Sequence, residues 1–442
     1  MTRPPVQPDR KASASDSGDT GGARSRTGQS RSAPAGSNRH VDSIVRDRIS
    51  SPERSVTAID SPTVKNHRAL TGDRNLGARL SWVSTPVCGP YDVIIAPRFV
   101  GLCGTDIQIF RGALRPLANI LGHEGVGVVA EVGEFVEEWS PGDPVVFNPV
   151  NPSDPDEILG YSFDGLFQEK FLIRNVRTMN WLIRSVPGDM LSPVGALIEP
   201  IATAIYSQDL VNRSSNGHVA VVVGDGPVAL INSIVLRLNG FNTVLMVHGR
   251  SPRYRWAVDG GYFDGEDVIL GQGNVAERII KRLGDELVDV VIVCTPGEVA
   301  EQALKDALIY LKPDGIINLV SAATPSVVSL EGRDLDTTAI RHRNCCGYPS
   351  SGYFERIETP DGKSVRVTSQ RGTSASHLNA SIELLGGRSS DFDALVTDVV
   401  DLADAPALIS SAVAWSFGRP KSGEAEGGRP MKAVIELNKG EF

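Results

Sequence analysis

Residues 218–229 read His218-Val-Ala-Val-Val-Val223 and then Gly224-Asp-Gly-Pro-Val-Ala229, an apolar run that ends directly on a GxGxxA loop. A run with no polar alternation suits a strand covered on both faces. The spaced glycines let backbone approach a pyrophosphate seated at the N-terminus of the following helix. Ala229 in the third position allows close helix–sheet packing, and Pro227 suits a first turn whose N–H has no partner in any case. Thr243-Val-Leu-Met-Val247, Asp289-Val-Val-Ile-Val-Cys294 and Gly315-Ile-Ile-Asn-Leu-Val320 repeat the apolar run, with helix-compatible segments between. That rhythm is one of βαβ units, so residues 202–346 are expected to form a doubly wound parallel sheet that binds a dinucleotide through Gly224, Gly226, Pro227 and Val228. The plainer reading, a glycine-rich turn that binds nothing, loses ground because a strand precedes the loop and a helix follows it.

The end of the second strand bears on the cofactor. Strands that hold NAD usually end on Asp or Glu about twenty residues beyond the glycines, where the acid bonds the ribose 2′-hydroxyl. This chain has Val247-His-Gly-Arg250 there, with Arg253 and Arg255 close behind and no carboxylate. A planar guanidinium suits a 2′-phosphate, so Arg250 favours NADP(H) over NAD(H). Its competing reading is a solvated surface charge.

Upstream, short β-type runs at Asp92–Ala96, Val126–Ala130 and Pro144–Phe147 alternate with turn residues such as Pro141-Gly-Asp143, the pattern of an irregular β-rich domain. Within it stand Gly101-Leu-Cys-Gly-Thr-Asp106 and Gly122-His-Glu-Gly-Val-Gly127, and further on Ile198-Glu-Pro200. Thiolate, imidazole and carboxylate are the ligand types of a catalytic zinc, which takes three protein ligands and keeps one position open. Cys103 and His123, with Glu124 or Glu199, fit that count. A cysteine and a histidine alone are more often ordinary core or surface residues, but Gly104, Gly122, Gly125 and Gly127 crowd these two, as where backbone turns sharply or passes something bulky.

Composition narrows the class. The chain has 442 residues, 41% hydrophobic and 22% charged, as in a soluble globular protein of two or three domains. It lacks a transmembrane-length apolar stretch and the apolar core of a secretory signal, which predicts a cytoplasmic protein without a membrane partner. A net charge of −9 gives no basic footprint for nucleic acid. The five irregularly spaced cysteines suit a reducing compartment better than a disulfide framework. Residues 1–62 hold ten Lys or Arg against seven Asp or Glu, with no aromatic residue and no Leu, and are expected to form a disordered tail. Ser381–Leu385 reads as helix and Met431–Leu437 as a closing strand, so residues 347–442 are expected to return to the first domain, 63–201.

Taken in order, these motifs and Ala196-Leu-Ile-Glu-Pro200 resemble the zinc-dependent medium-chain alcohol/polyol dehydrogenases, over roughly residues 65–442. The likeness is greatest to the sorbitol, threonine and glucose dehydrogenase branch, because Glu199 stands where liver-type alcohol dehydrogenases have a cysteine. The resemblance implies a GroES-like catalytic domain interrupted by a Rossmann domain, usually as a homodimer or homotetramer. It makes Cys103 and His123 zinc ligands, lets Glu124 and Glu199 compete for the third place, gives Thr105 the proton-passing hydroxyl and casts Asp106 as the group that orients a ligand. There are departures. Asn148–Lys170 contains none of the clustered cysteines that hold a structural zinc in many relatives, so one catalytic zinc and no structural zinc is expected. Gln108 replaces a proton-relaying histidine, and Ser350–Thr373 does not resemble the usual return segment.

The activity implied is hydride exchange between NADP(H) and a polyol, sugar or cyclitol. Two alternatives are an NADPH-dependent enone reductase acting on an unsaturated cyclitol and a non-catalytic NADPH-binding protein. Retention of Cys103, His123, Glu124 and Glu199 weighs against both.

Overall fold

A computed structural model describes residues 65–73, 77–212, 219–249, 253–321, 326–416 and 430–439. The tail expected over residues 1–62, and Arg250, lie outside the described residues. Among the described residues, no helix is long and apolar enough to cross a membrane.

Two seven-stranded sheets carry the fold. In the first, β1 (Val93–Gly101), β2 (Gly125–Val132), β3 (Pro144–Phe147) and β4 (Ile183–Ser185) are successive antiparallel neighbours, and strand Phe171–Ile173 pairs with β1. All three strands expected there are present. β1 runs on to Gly101, beyond its apolar stretch, and so delivers the chain to Cys103.

The second sheet is built from β5 (Val219–Val223), β6 (Thr243–His248), β7 (Val268–Leu270), β8 (Val288–Val293), β9 (Leu311–Leu319), β10 (Glu355–Glu358) and β11 (Ser364–Ser369). Its order is β7-β6-β5-β8-β9-β11-β10, parallel throughout except for antiparallel β10. The sheet was expected to end by residue 346; instead β10 and β11 extend it, so the boundary placed at 346/347 is corrected to beyond Ser369. The polar residues of β11 hid its place. Arg366 is buried, its guanidinium donating to the Asp314 carbonyl, while the Thr368 hydroxyl donates to the Tyr353 carbonyl and the Ser369 hydroxyl to the Leu319 carbonyl. Polar side chains satisfied one by one fit inside a sheet without producing an apolar run.

After this sheet the chain goes back. β12 (Val396–Asp401) and β13 (Lys432–Glu436) join the first sheet, with β13 antiparallel to β1. The expected helix over Ser381–Leu385 is the middle of a longer one, Ala375–Arg388.

Alternate residues of the parallel strands fill two cores. Val219, Val221, Val223, Val291, Val293 and Ile317 face one side. Ala220, Val222, Val290, Ile292 and Ile316 face the other, in a cluster that also holds Ile201, Val126, Val146 and Val434. One apolar core therefore runs from the second sheet through the helix Ile198–Asn212 into the first.

Candidate functional site

Strand pairing brings the sulfur and the imidazole together. Val100 of β1 stands opposite Gly125 of β2, and the Gly101 amide donates to the Glu124 carbonyl at 2.7 Å. Cys103 then caps helix α1 (Gly104–Phe110), while His123 and Glu124 lie immediately before β2. One ligand atom from each of Cys103, His123 and Glu124 falls within 4.8 Å of the others. Gly122 turns the chain into the site at φ 93°, and a Cβ there would stand 2.8 Å from the Phe167 ring. Only glycine meets both demands.

Behind the imidazole sits Asp106, fully buried in the first turn of α1. One of its oxygens accepts from the Cys103 amide at 2.9 Å; the other is 3.5 Å from His123 Nδ1 and has no nearer partner. That contact orients the ring and leaves its other nitrogen for a metal. Burial opposes the charge on His123, but Asp106 and Cys103 together hold its pKa well above the usual imidazole range. Burial and then the Glu124 carboxylate push the Cys103 thiol up.

Glu199 lies in the first turn of helix α2 (Ile198–Asn212), where the Thr203 hydroxyl donates to it at 3.2 Å. Burial, and next Glu124, push its carboxyl up to about 7, with His123 pulling the other way. Glu199 lies outside the three side chains whose ligand atoms fall within 4.8 Å of one another, but Glu124 and His123 are its electrostatic neighbours, so a thiol and several carboxyl groups crowd one buried region, an excess of anionic donors that a divalent cation would balance. This donor set fits zinc. Thr105 is half-buried on α1 beside Asp106, and Gln108 is half-buried one turn further on.

The sequence reading missed Lys432. Its ammonium donates to Glu124 Oε2 at 2.6 Å, and both side chains are 2% exposed. Burial disfavours the lysine charge, yet Glu124, Cys103 and Asp106 outweigh that and raise its pKa. A Cβ on Gly101 would stand 2.6 Å from Lys432 Cε, so the glycine makes room for it. The available signal was a lysine set directly before the apolar Ala433-Val-Ile435 of the closing strand.

The dinucleotide loop lies at the carboxyl end of β5, where the sheet order reverses between β6 and β8, the usual crevice of open α/β sheets. Gly224 has φ 135°, and a Cβ there would meet that of Cys294 at 3.3 Å. Gly226 caps helix α3 (Pro227–Leu238), with Pro227 and Val228 in its first turn. Around the loop, Asp225 Oδ2, His248 Nδ1 and Thr295 Oγ1 are buried with no hydrogen-bond partner, polar atoms suited to a polar ligand. β6 ends on His248, whose ring stacks on Tyr254 with centroids 4.2 Å apart. Burial lowers the His248 pKa, with Asp225 partly offsetting it. Arg253 donates to the Pro430 carbonyl at 3.0 Å, and its Nη1 is 3.3 Å from where a Cβ on Gly226 would be.

Residues 89–181 match the alcohol dehydrogenase GroES-like domain. The chain is 31% identical over 267 residues to the NADP-dependent isopropanol dehydrogenase of Clostridium beijerinckii, a match spanning 55% of this chain and 73% of that protein. It is 28% identical over 246 residues to the sorbitol dehydrogenase of Ovis aries, spanning 51% and 67% respectively. The fold superposes on the alcohol dehydrogenase TADH from Thermus sp. ATN1 with a TM-score of 0.62 at 20% identity, covering 84% of this chain and 100% of that one.

Two outcomes are expected from the charges. Lys432→Met leaves a buried carboxylate unpaired and should lower stability by about 3–5 kcal/mol, with most of the loss recovered on adding Glu124→Gln; a double-mutant unfolding cycle reads this coupling. Glu199 is protonated more readily folded than unfolded, so the stability it contributes is complete below its ordinary pKa of 4.5 and is lost as pH rises through about 7. Metal-free protein should therefore lose stability over that window, and Glu199→Gln should flatten the loss in urea titrations.

Proposed function

Because the chain belongs to the zinc-type medium-chain alcohol/polyol dehydrogenases, we propose that it is a zinc-dependent oxidoreductase working between NADP(H) and a polyol, sugar or cyclitol. The observation that carries this reading is the Cys103–His123–Glu124 cluster, with Asp106 set behind the imidazole. Cys103 and His123, with Glu124 or Glu199, would hold the metal. Zinc bound there supplies Lewis acidity toward a substrate oxygen, and the nicotinamide supplies the hydride donor or acceptor.

The chain's own residues supply the rest. Asp106 fixes the His123 ring. The Thr105 hydroxyl passes the substrate proton, and with Gln108 in the next turn the proton continues through water. Gly224 and Gly226 bring the loop backbone to the pyrophosphate, and Pro227 and Val228 begin the helix whose N-terminus faces it.

Three features support NADP(H). No carboxylate closes β6, Arg253 lies over the loop, and a relative matched over 73% of its length is NADP-dependent by name. Arg250 is proposed to read the 2′-phosphate. The polyhydroxylated substrate rests on Glu199 in place of a cysteine and on the sorbitol dehydrogenase relative.

Purified protein should carry about one zinc per chain, and Cys103→Ala should lose both the metal and turnover in a screen of polyols, cyclitols and their ketones. Metal-free protein whose turnover survives Cys103→Ala would defeat the proposal. Arg250→Ala should weaken NADPH binding roughly 10–100-fold and NADH binding little, measured by fluorescence titration; equal losses would remove Arg250 from cofactor choice.

A further inference from the structure

Cys345 and Cys346 are adjacent, 7% and 6% exposed, with their sulfurs 3.6 Å apart. Cys345 and Tyr348 exchange both backbone hydrogen bonds, at 3.0 and 2.9 Å, which closes a tight turn with Cys346 at φ 52° and Gly347 at φ 79°. Such turns take Asn, Asp or Gly at the first central position. Turn chemistry therefore does not ask for a cysteine here.

The turn is wedged at a seam. The Cys346 amide donates to the Arg371 carbonyl at 2.8 Å, just past β11, and its sulfur lies 3.7 Å from the Val150 carbonyl in the hairpin that follows β3. A Cβ on Gly372 would stand 2.8 Å from that sulfur. Arg371 also pairs with Asp156 at 3.1 Å and with the His342 ring at 3.0 Å, and Arg341, the other nearby cation, donates to the Val320 carbonyl at 3.0 Å. Either thiol can serve as donor across 3.6 Å. The hydrogen bond with Cys346, then Arg371 and Arg341, hold the Cys345 thiol below its usual value despite burial, while Cys346 is raised, so Cys345 is the readier of the two to ionise. Tyr348, 79% exposed, places the turn at the surface.

We propose that Cys345 and Cys346 are a reversible redox pair that a hydroperoxide closes to a vicinal disulfide. With hydrogen peroxide, the Cys345 thiolate attacks one peroxide oxygen; the O–O bond breaks, leaving a Cys345 sulfenic acid and a hydroxide that takes up a proton. The Cys346 sulfur then attacks the sulfenic sulfur, the S–O bond breaks, and water leaves with the Cys346 proton. The two thiols lose two electrons in all, and the peroxide becomes two waters. Neighbouring Cα atoms stand about 3.8 Å apart, closer than the ~4.4–6.8 Å of ordinary disulfides, so this bond is strained and easily reduced by thiols. The pair is separate from the proposed zinc ligands and owes nothing to their role.

The test uses the whole protein, titrated with hydrogen peroxide, blocked with iodoacetamide and cut with trypsin. Peptide 344–356 contains these two cysteines and no other. It should become lighter by two hydrogens and resist alkylation before Cys88 is oxidised, and dithiothreitol should restore both thiols. Cys346→Ser should stop at a Cys345 sulfenic acid that dimedone captures, whereas Cys345→Ser should leave Cys346 alkylatable throughout. The proposal fails if both thiols still alkylate once Cys88 is oxidised, or if the peptide reaches sulfinic acid without passing through the lighter species.

Discussion

The ion pair between Lys432 and Glu124 joins residues 308 positions apart and offsets part of the negative charge crowded around Cys103 and His123. Cys103, Asp106, Glu124 and Glu199 place anionic or potentially anionic groups in one poorly solvated space, while Lys432 brings a full positive charge to within 2.6 Å of one of them. That charge arrives on β13, the strand with which the described chain closes. The antiparallel register of β13 on β1 places Val434 opposite Gly101 and sets the lysine beside Leu102. The site is therefore completed last along the chain, although its ligands come early.

The same connectivity ties the two candidate sites to one apolar core. β1 and β2 present the thiol and imidazole at one end of the first sheet, and β5 presents the glycine loop where the order of the second sheet reverses. Helix α2 links them, carrying Glu199 at its start and Ile201 in the core shared with β5 and β8. A packed core transmits position without much compliance, so the carboxylate of α2 is held in register with both sheets.

Sequence alone made legible whatever depends on local chemistry. Val219–Val223 and Val290–Val293 are buried on both faces and read as uninterrupted apolar runs; the loop from Gly224 carries its glycines where φ and close approach require them. Cys103 and His123 could be paired because glycines flank both. Long-range compensation was not legible. Arg366 inside β11 looks like a surface residue until Asp314 is found to accept from it, and Lys432 looks like a strand-end charge until Glu124 is found beneath it. In both cases the partner that makes burial affordable is distant in sequence, and no spacing rule points to it.

The cleft also separates its two candidate third ligands by environment. Glu124 has the Lys432 ammonium against Oε2, and one of its oxygens lies within 4.8 Å of the Cys103 and His123 ligand atoms. Among the described residues, the Thr203 hydroxyl donates to Glu199, and burial, then Glu124, brings its carboxyl up to about 7. Two carboxyl groups whose surroundings differ in this way suit different work: Glu124 is held against an ammonium, and Glu199 can take or give a proton near neutrality. In the proposed metal site, such an asymmetry would distinguish the two glutamates as third ligands. The lysine that balances the cleft is thus also what makes its two glutamates unequal.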